Sequence, residues 1–178
     1  MKLHLGCGDK RIDGYINIDC RDLPTVDHVE DIRFLQSFKE NSIDVIYVCH
    51  VLEHFSRWEH LQVLKRWYDI LKIGGILRIA IPDFEKAVKY YFEHGNLRDI
   101  SGMLYGRQDY PENNHFWCWD FNELTKDLRS VGFINIERYD WRKTEHAHID
   151  DYSQSYLPHM DKDNGTLMSL NVKGIKNA

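Results

Sequence analysis

Long apolar runs are missing from this 178-residue sequence: none approaches the ~20 residues that cross a bilayer, which argues against a membrane span. Paired cysteines are missing too. Cys7, Cys20, Cys49 and Cys118 stand alone with no C-x-x-C pair, so they read as reduced thiols packed as small hydrophobes. Basic charge is outweighed, 23 Lys and Arg against 28 Asp and Glu for a net −5, and this argues against a nucleic-acid partner. The start, Met1-Lys2-Leu3-His4-Leu5, runs straight into a glycine turn without the apolar stretch of a signal peptide; the expected location is cytoplasmic. A G-x-x-x-x-G-K-[ST] phosphate loop is absent, which speaks against ATPases and kinases of that class. There is no internal repeat, low-complexity tract or linker.

What is present is a folding composition, 43% apolar, 29% charged and 13% aromatic, at about the length of one domain. Lys2–Leu5, Tyr15–Asp19, Val26–Glu30, Ile43–Cys49, Ile76–Ile81, Phe133–Tyr139 and Leu167–Lys173 read as strands, being alternating or rich in β-branched residues. Ser56-Arg57-Trp58-Glu59 has the form of a capping box, followed by a stripe of Leu61, Leu64, Tyr68 and Leu71, with Gly74-Gly75 as the expected stop. Further helices are expected over about Phe84–Glu93 and Asn122–Val131. Strands alternating with helices imply an α/β fold with a mainly parallel sheet.

Only nine residues, Gly6 to Gly14, separate the first two strands, too few for a helical crossover. One sheet face near the N-terminus therefore lacks helices, and either a long loop or a second subunit, as in a homodimer, must cover it. Two aperiodic segments, about 95–119 and 140–165, are long enough to be functional and mix aromatics with polar groups.

Gly6-Cys7-Gly8 after the first strand is a candidate ligand turn, since glycine lets backbone approach a ligand closely. Asp19 at the second strand end can accept two ribose hydroxyls, and Asp31 after the third can accept an adenine amino group. Successive acids on the carboxyl edge of an α/β sheet form a pattern that no single acid makes.

These residues, with Gly14-Tyr15-Ile16-Asn17-Ile18-Asp19, Glu30-Asp31-Ile32, Asp44 to Phe55 and Leu71-Lys72-Ile73-Gly74-Gly75, resemble the class I S-adenosylmethionine-dependent methyltransferases. The resemblance is greatest to a compact branch associated with polysaccharide and surface-sugar pathways. It implies a single domain over 1–178 with acceptor-side insertions at about 95–119 and 140–165. It also implies a Rossmann-like, open, mostly parallel seven-stranded sheet whose last strand is antiparallel and whose helical connections near the N-terminus are shortened. S-adenosylmethionine would be the cofactor and S-adenosylhomocysteine the product. Leu5, Gly6, Cys7 and Gly8 would pass beneath the methionine portion, Asp19 would hold the ribose, Asp31 and the Ile32 backbone the adenine, and Cys49 and His50 would lie beside the sulfonium. The pattern's usual acid is His4 here and its third glycine is Lys10, so Lys10 or Arg11 is the candidate partner of the methionine carboxylate. The implied reaction is in-line methyl transfer to a hydroxyl or amine of a small molecule or saccharide, with His115 and His50 as candidate catalytic groups and no metal required.

Other readings remain at this point. The fold can serve as a non-catalytic cofactor-binding or assembly subunit. A nicotinamide-dependent dehydrogenase expects a helix and a third glycine after the turn, and the chain has neither. His50-Val51-Leu52-Glu53-His54 matches the H-x-x-E-H signature of zinc hydrolases, but a helix beginning at Ser56 leaves His50 on a strand end, off any shared helical face. The bland reading is a turn with Glu53 and His54 bonded locally. His146-Ala147-His148 reads as a solvated loop, and His28, His60 and His94 as surface residues. Tyr105–Tyr110 and Asn113–Trp119 read either as an acceptor surface for sugar stacking or, for Trp117 and Trp119, as core under the next helix.

Overall fold

A computed structural model describes residues 1–178. The strands are β1 (Lys2–Leu5), β2 (Ile16–Asp19), β3 (His28–Val29), β4 (Ile43–Cys49) and β5 (Leu71–Pro82), then β6 (Phe133–Arg138), β7 (Tyr156–Leu157), β8 (Thr166–Leu167) and β9 (Ser169–Lys176). The helices are α1 (His60–Ile70), α2 (Phe84–His94), α3 (Leu97–Tyr105) and α4 (Phe121–Val131). Seven strands form one sheet in the order β3-β2-β1-β4-β5-β9-β6, parallel from β3 to β5, with β9 antiparallel to both neighbours. This is the expected Rossmann-like sheet. β7 and β8 make a separate antiparallel pair.

The N-terminal crossovers are bare loops: β1 pairs in parallel with β2, and β2 with β3, with no helix between them. The cover comes from the chain itself. Ile149, in the 140–165 segment, packs on a small cluster of Ile12, Tyr15, Val45 and Tyr47. Tyr15 donates its hydroxyl to Glu145 (2.7 Å) and Tyr47 donates to Asp151 (2.6 Å). The second-subunit alternative thus loses the bare face that motivated it. The main core lies between the sheet and α1 and α4, around Leu3, Leu5, Val48, Leu64, Trp67, Leu124 and Leu170.

Several local expectations shift. Ser56 and Glu59 do bond, Ser56 N–H and Oγ both reaching a Glu59 carboxylate oxygen, but they close a turn before the helix, which starts at His60. α1 buries Val63, Leu64, Trp67 and Ile70 rather than a Leu61 stripe; Leu61 is exposed. The helix stops at Ile70, not at Gly74-Gly75, because Leu71 already pairs with Ile43 and both glycines fall inside β5. α3 occupies part of a segment expected to be aperiodic. Its Asn96 cap accepts from Arg98 N–H (3.1 Å), yet only Ile100 of its nine residues is buried, too narrow a stripe to show as a period.

Candidate active site

The sheet order reverses between β1 and β4, the place where open α/β sheets bind ligands beyond the carboxyl strand ends. Two adjoining cavities open there, of about 810 and 430 Å³. They share Gly6, Arg21, His50, His54 and Tyr110. Arg21 lies over the Tyr110 ring at 4.9 Å, so this pair stands between them.

The smaller cavity carries the acids. Asp19, at the end of β2, is buried; its Oδ2 accepts from Gly8 N–H (2.9 Å) and its Oδ1 from Arg21 N–H and Nε, both 3.0 Å. Burial alone would raise the carboxyl, but the Arg21 and Gly8 donors outweigh it and hold it below the usual range. Asp31 repeats the device with Arg33, whose Nη2 lies 2.6 Å away and whose Nε makes two further bonds. Arg33 holds the Asp31 carboxyl down against partial burial. Ile32 lines the same cavity while its carbonyl accepts from Trp67 Nε1 (2.9 Å). Gly6 has φ +63°, and a Cβ there would meet Val51 Cγ2 at 2.4 Å, so the turn has no room for a side chain.

The larger cavity is lined by Cys7, Gly8, Lys10, Cys49, His115, Asp151 and Tyr152 among others. Leu5 is wholly buried in the core and lines neither cavity. Lys10 lines the cavity, while Arg11 is held by Asp27 (2.6 Å) and the Thr25 carbonyl. His4, where the pattern has an acid, is pushed down to about 4 by burial and bonds to Asn17 Oδ1 (3.1 Å). Burial drives the Cys7 thiol up to about 12 and the Cys49 thiol well above its ordinary value, so both stay protonated.

At the end of β4 the chain turns sharply. His50 has φ +52°, and a 3₁₀ turn over Leu52–His54 follows. His50 and His54 therefore do not share a helical face, which removes the geometry the helical H-x-x-E-H signature requires. Glu53 is buried, and neither carboxylate oxygen has a hydrogen-bond partner; His50 Nδ1 lies 3.3 Å from Oε1 but off hydrogen-bond geometry. Burial pushes the Glu53 carboxyl up to about 8 and His50 down to about 3. His115 reaches in from the 95–119 segment, its Nδ1 2.8 Å from the Met103 carbonyl. That bond fixes the proton on Nδ1 and leaves the Nε2 lone pair free; burial holds the ring neutral, near 4.

Some residues fall elsewhere than expected. Trp119 is core, donating to Asp127 (2.7 Å), and Trp117 packs against the core and stacks on His60; the aromatics of the larger cavity are Tyr110 and Tyr152, while Phe55 and Phe116 line the smaller one. His60 is buried, its Nε2 3.1 Å from an Asp127 oxygen and its Nδ1 bonded to the Ser56 carbonyl (3.2 Å), because α1 begins there rather than at Ser56. His146 is buried against Tyr47 at 4.1 Å, since its loop is the sheet's cover. Tyr110 belongs to a segment read as acceptor surface, whereas Arg21, Asp151 and Tyr152 were not singled out in the sequence. Only Arg21 carried a signal, the Asp-x-Arg spacing shared by Asp19-Arg21 and Asp31-Arg33.

Residues 17–79 match a family model described as a methyltransferase domain. No curated protein sequence matches the chain significantly. Among solved structures, the chain is similar to a SAM-dependent methyltransferase from Archaeoglobus fulgidus, at 13% identity and a TM-score of 0.59 over 98% of this chain and 85% of that one. It is also similar to one from Methanosarcina mazei, at 15% and 0.61 over 99% and 92%. A third is the Burkholderia thailandensis 1,6-didemethyltoxoflavin-N1-methyltransferase with bound 1,6-didemethyltoxoflavin and S-adenosylhomocysteine, at 14% and 0.60 over 99% and 71%. Residues 17–79 thus match a methyltransferase domain, and the chain as a whole shares the fold of these methyltransferases.

Proposed function

We propose that the protein transfers the methyl group of S-adenosylmethionine to a hydroxyl or amine of a small molecule or saccharide. The observation that carries this reading is the pair of cavities meeting at Gly6 and His50, with Asp19 and Asp31 lining the smaller and Lys10 and His115 the larger. The residues fit the cofactor: two ionised carboxylates suit the hydroxyls and amino group of a nucleoside, and Lys10 suits a carboxylate. Asp19 would hold the ribose, Asp31 and the Ile32 backbone the adenine, Gly6, Cys7 and Gly8 the methionine portion, and Cys49 and His50 would border the sulfonium. When bound, the cofactor supplies an electrophilic methyl carbon.

The chain's own contribution is alignment and proton handling. His115, neutral with a free Nε2, is placed to take an acceptor proton. Arg107, Asn113, Asp99 and Tyr110 give the larger cavity the mixture of donors, acceptors and an aromatic face that a hydroxylated acceptor uses. The exposed free thiols Cys20 and Cys118 suit a reducing compartment such as the cytoplasm.

Calorimetric titration with S-adenosylhomocysteine tests the cofactor assignment. Micromolar binding by the wild type, lost in Asp19→Ala, is expected; a folded wild type that binds none would overturn it.

A further inference from the structure

Glu53 is the one buried carboxylate whose two oxygens both lack a partner, and its chain neighbour His54 lines both cavities. Burying a carboxylate unpaired is unfavourable, so the group either keeps its proton or takes up a counter-charge. The nearest donors are imidazoles. One ligand atom each from Glu53, His54 and His115 lie within 4.8 Å of one another. Ligands bound about 2.0–2.2 Å from a shared first-row cation stand roughly 3–4 Å apart, so small side-chain rotations would close the set.

The surroundings of each histidine agree. His115 holds its Nδ1 proton on the Met103 carbonyl and so presents Nε2, the arrangement that orients metal-bound imidazoles. His54 has Nδ1 3.1 Å from the Asn114 carbonyl and Nε2 3.1 Å from the His50 carbonyl. A neutral imidazole has one N–H, so one of these contacts sets lone pair against lone pair. Turning that nitrogen onto a cation relieves the conflict and keeps the other bond.

We propose that Glu53, His54 and His115 form a site for a divalent transition-metal cation, and that the cation receives the acceptor's oxygen. Two imidazoles and one carboxylate suit Zn²⁺, Mn²⁺, Fe²⁺ or Co²⁺ better than Ca²⁺ or Mg²⁺. His50, 3.3 Å from Glu53 Oε1 and 3.3 Å from Ser169 Oγ, backs the carboxylate as a positioning residue. The cation's role in transfer rests on the cofactor reading above, whereas the site itself does not. In that role the acceptor hydroxyl held on the cation loses its proton to solvent. Its oxygen then bonds the methyl carbon as the carbon–sulfur bond breaks, and the electron pair of that bond stays on sulfur as a neutral thioether. His115 is then a ligand rather than the base, and the acceptor is narrowed to a hydroxyl.

The test uses the full chain stripped with chelator, titrated separately with Co²⁺ by visible absorption and with S-adenosylhomocysteine by calorimetry. The expected result is one Co²⁺ per chain, weakened at least ten-fold in Glu53→Gln and in His115→Ala and unchanged in His148→Ala, an exposed histidine outside the site. Mn²⁺ should broaden the ring-proton resonances of His54 and His115 in the wild type, a readout that stands if Glu53→Gln fails to fold. A folded protein that takes up no stoichiometric Co²⁺ overturns the proposal, and so does full affinity in both variants. Loss of homocysteine-product binding with Co²⁺ uptake intact would overturn the cofactor reading and support the cation site.

Discussion

The two cavities differ in how completely their polar groups are matched. At the proposed nucleotide end each acid already has an arginine two residues along, and Asp19 also has a backbone amide. At the acceptor end Glu53 lacks hydrogen bonds and His115 keeps a free nitrogen. A ligand entering the first must displace or share existing bonds, so recognition there is an exchange. A ligand entering the second supplies bonds that the fold leaves unmade, and polar groups left unmatched in a folded protein are where chemistry is expected.

The comparison can be broken most severely at Asp19. Replacing it with alanine removes the acceptor for two hydroxyls and is expected to weaken S-adenosylhomocysteine binding roughly 10- to 100-fold or more by calorimetry, given about 1.5–3 kcal/mol per hydrogen bond to a charge. Gly6→Ala comes next. Its positive φ and the contact with Val51 predict a loss of about 2–3 kcal/mol in urea unfolding, partly recovered by Val51→Ala, which removes the clash but not the backbone strain. Glu53→Gln should do the opposite at the unmatched end, stabilising the chelator-treated protein at neutral pH by about 1–3 kcal/mol, because burial makes Glu53 take up a proton on folding and the amide need not. Arg21→Ala sharpens the exchange argument: freeing Asp19 of its side-chain partner should tighten S-adenosylhomocysteine a few-fold, and unchanged affinity would show that the arginine does not compete.

The smallest effect is a pH limb. Asp27 is held at about 2 by the Asn17 backbone N–H, then the Asn17 amide and Arg11. Its folded value is depressed, so its contribution is present above the unfolded value near 4 and is lost as pH falls from there towards 2. Urea midpoints should fall over that window, and less so in Asp27→Asn.

Much of the frame was legible in the sequence, because strands that end on glycines or acids announce themselves locally. β1, β2 and β4, the bare first crossover and the positions of Asp19 and Asp31 all follow from alternation and spacing within a few residues. The acceptor side was not legible. His115 meets Glu53 and His54 only through a loop whose course is set by tertiary contacts, such as Phe116 N–H on the Glu53 carbonyl at 2.8 Å. His60 and His146 were misplaced for a related reason: their burial depends on a helix start four residues later than Ser56 and on a loop acting as a cover.

That cover has a consequence for the order in which the chain can fold. Tyr15 and Glu145 are 130 positions apart, and Tyr47 and Asp151 104 apart. During synthesis β1 and β2 emerge early, but the face they share with β4 stays wet until residues near 150 follow. A helix inserted between β1 and β2 would have closed that face at once. Without one, the first strands wait on a contact of high sequence separation, the kind that slows folding and leaves strand surface open to wrong partners in the interval.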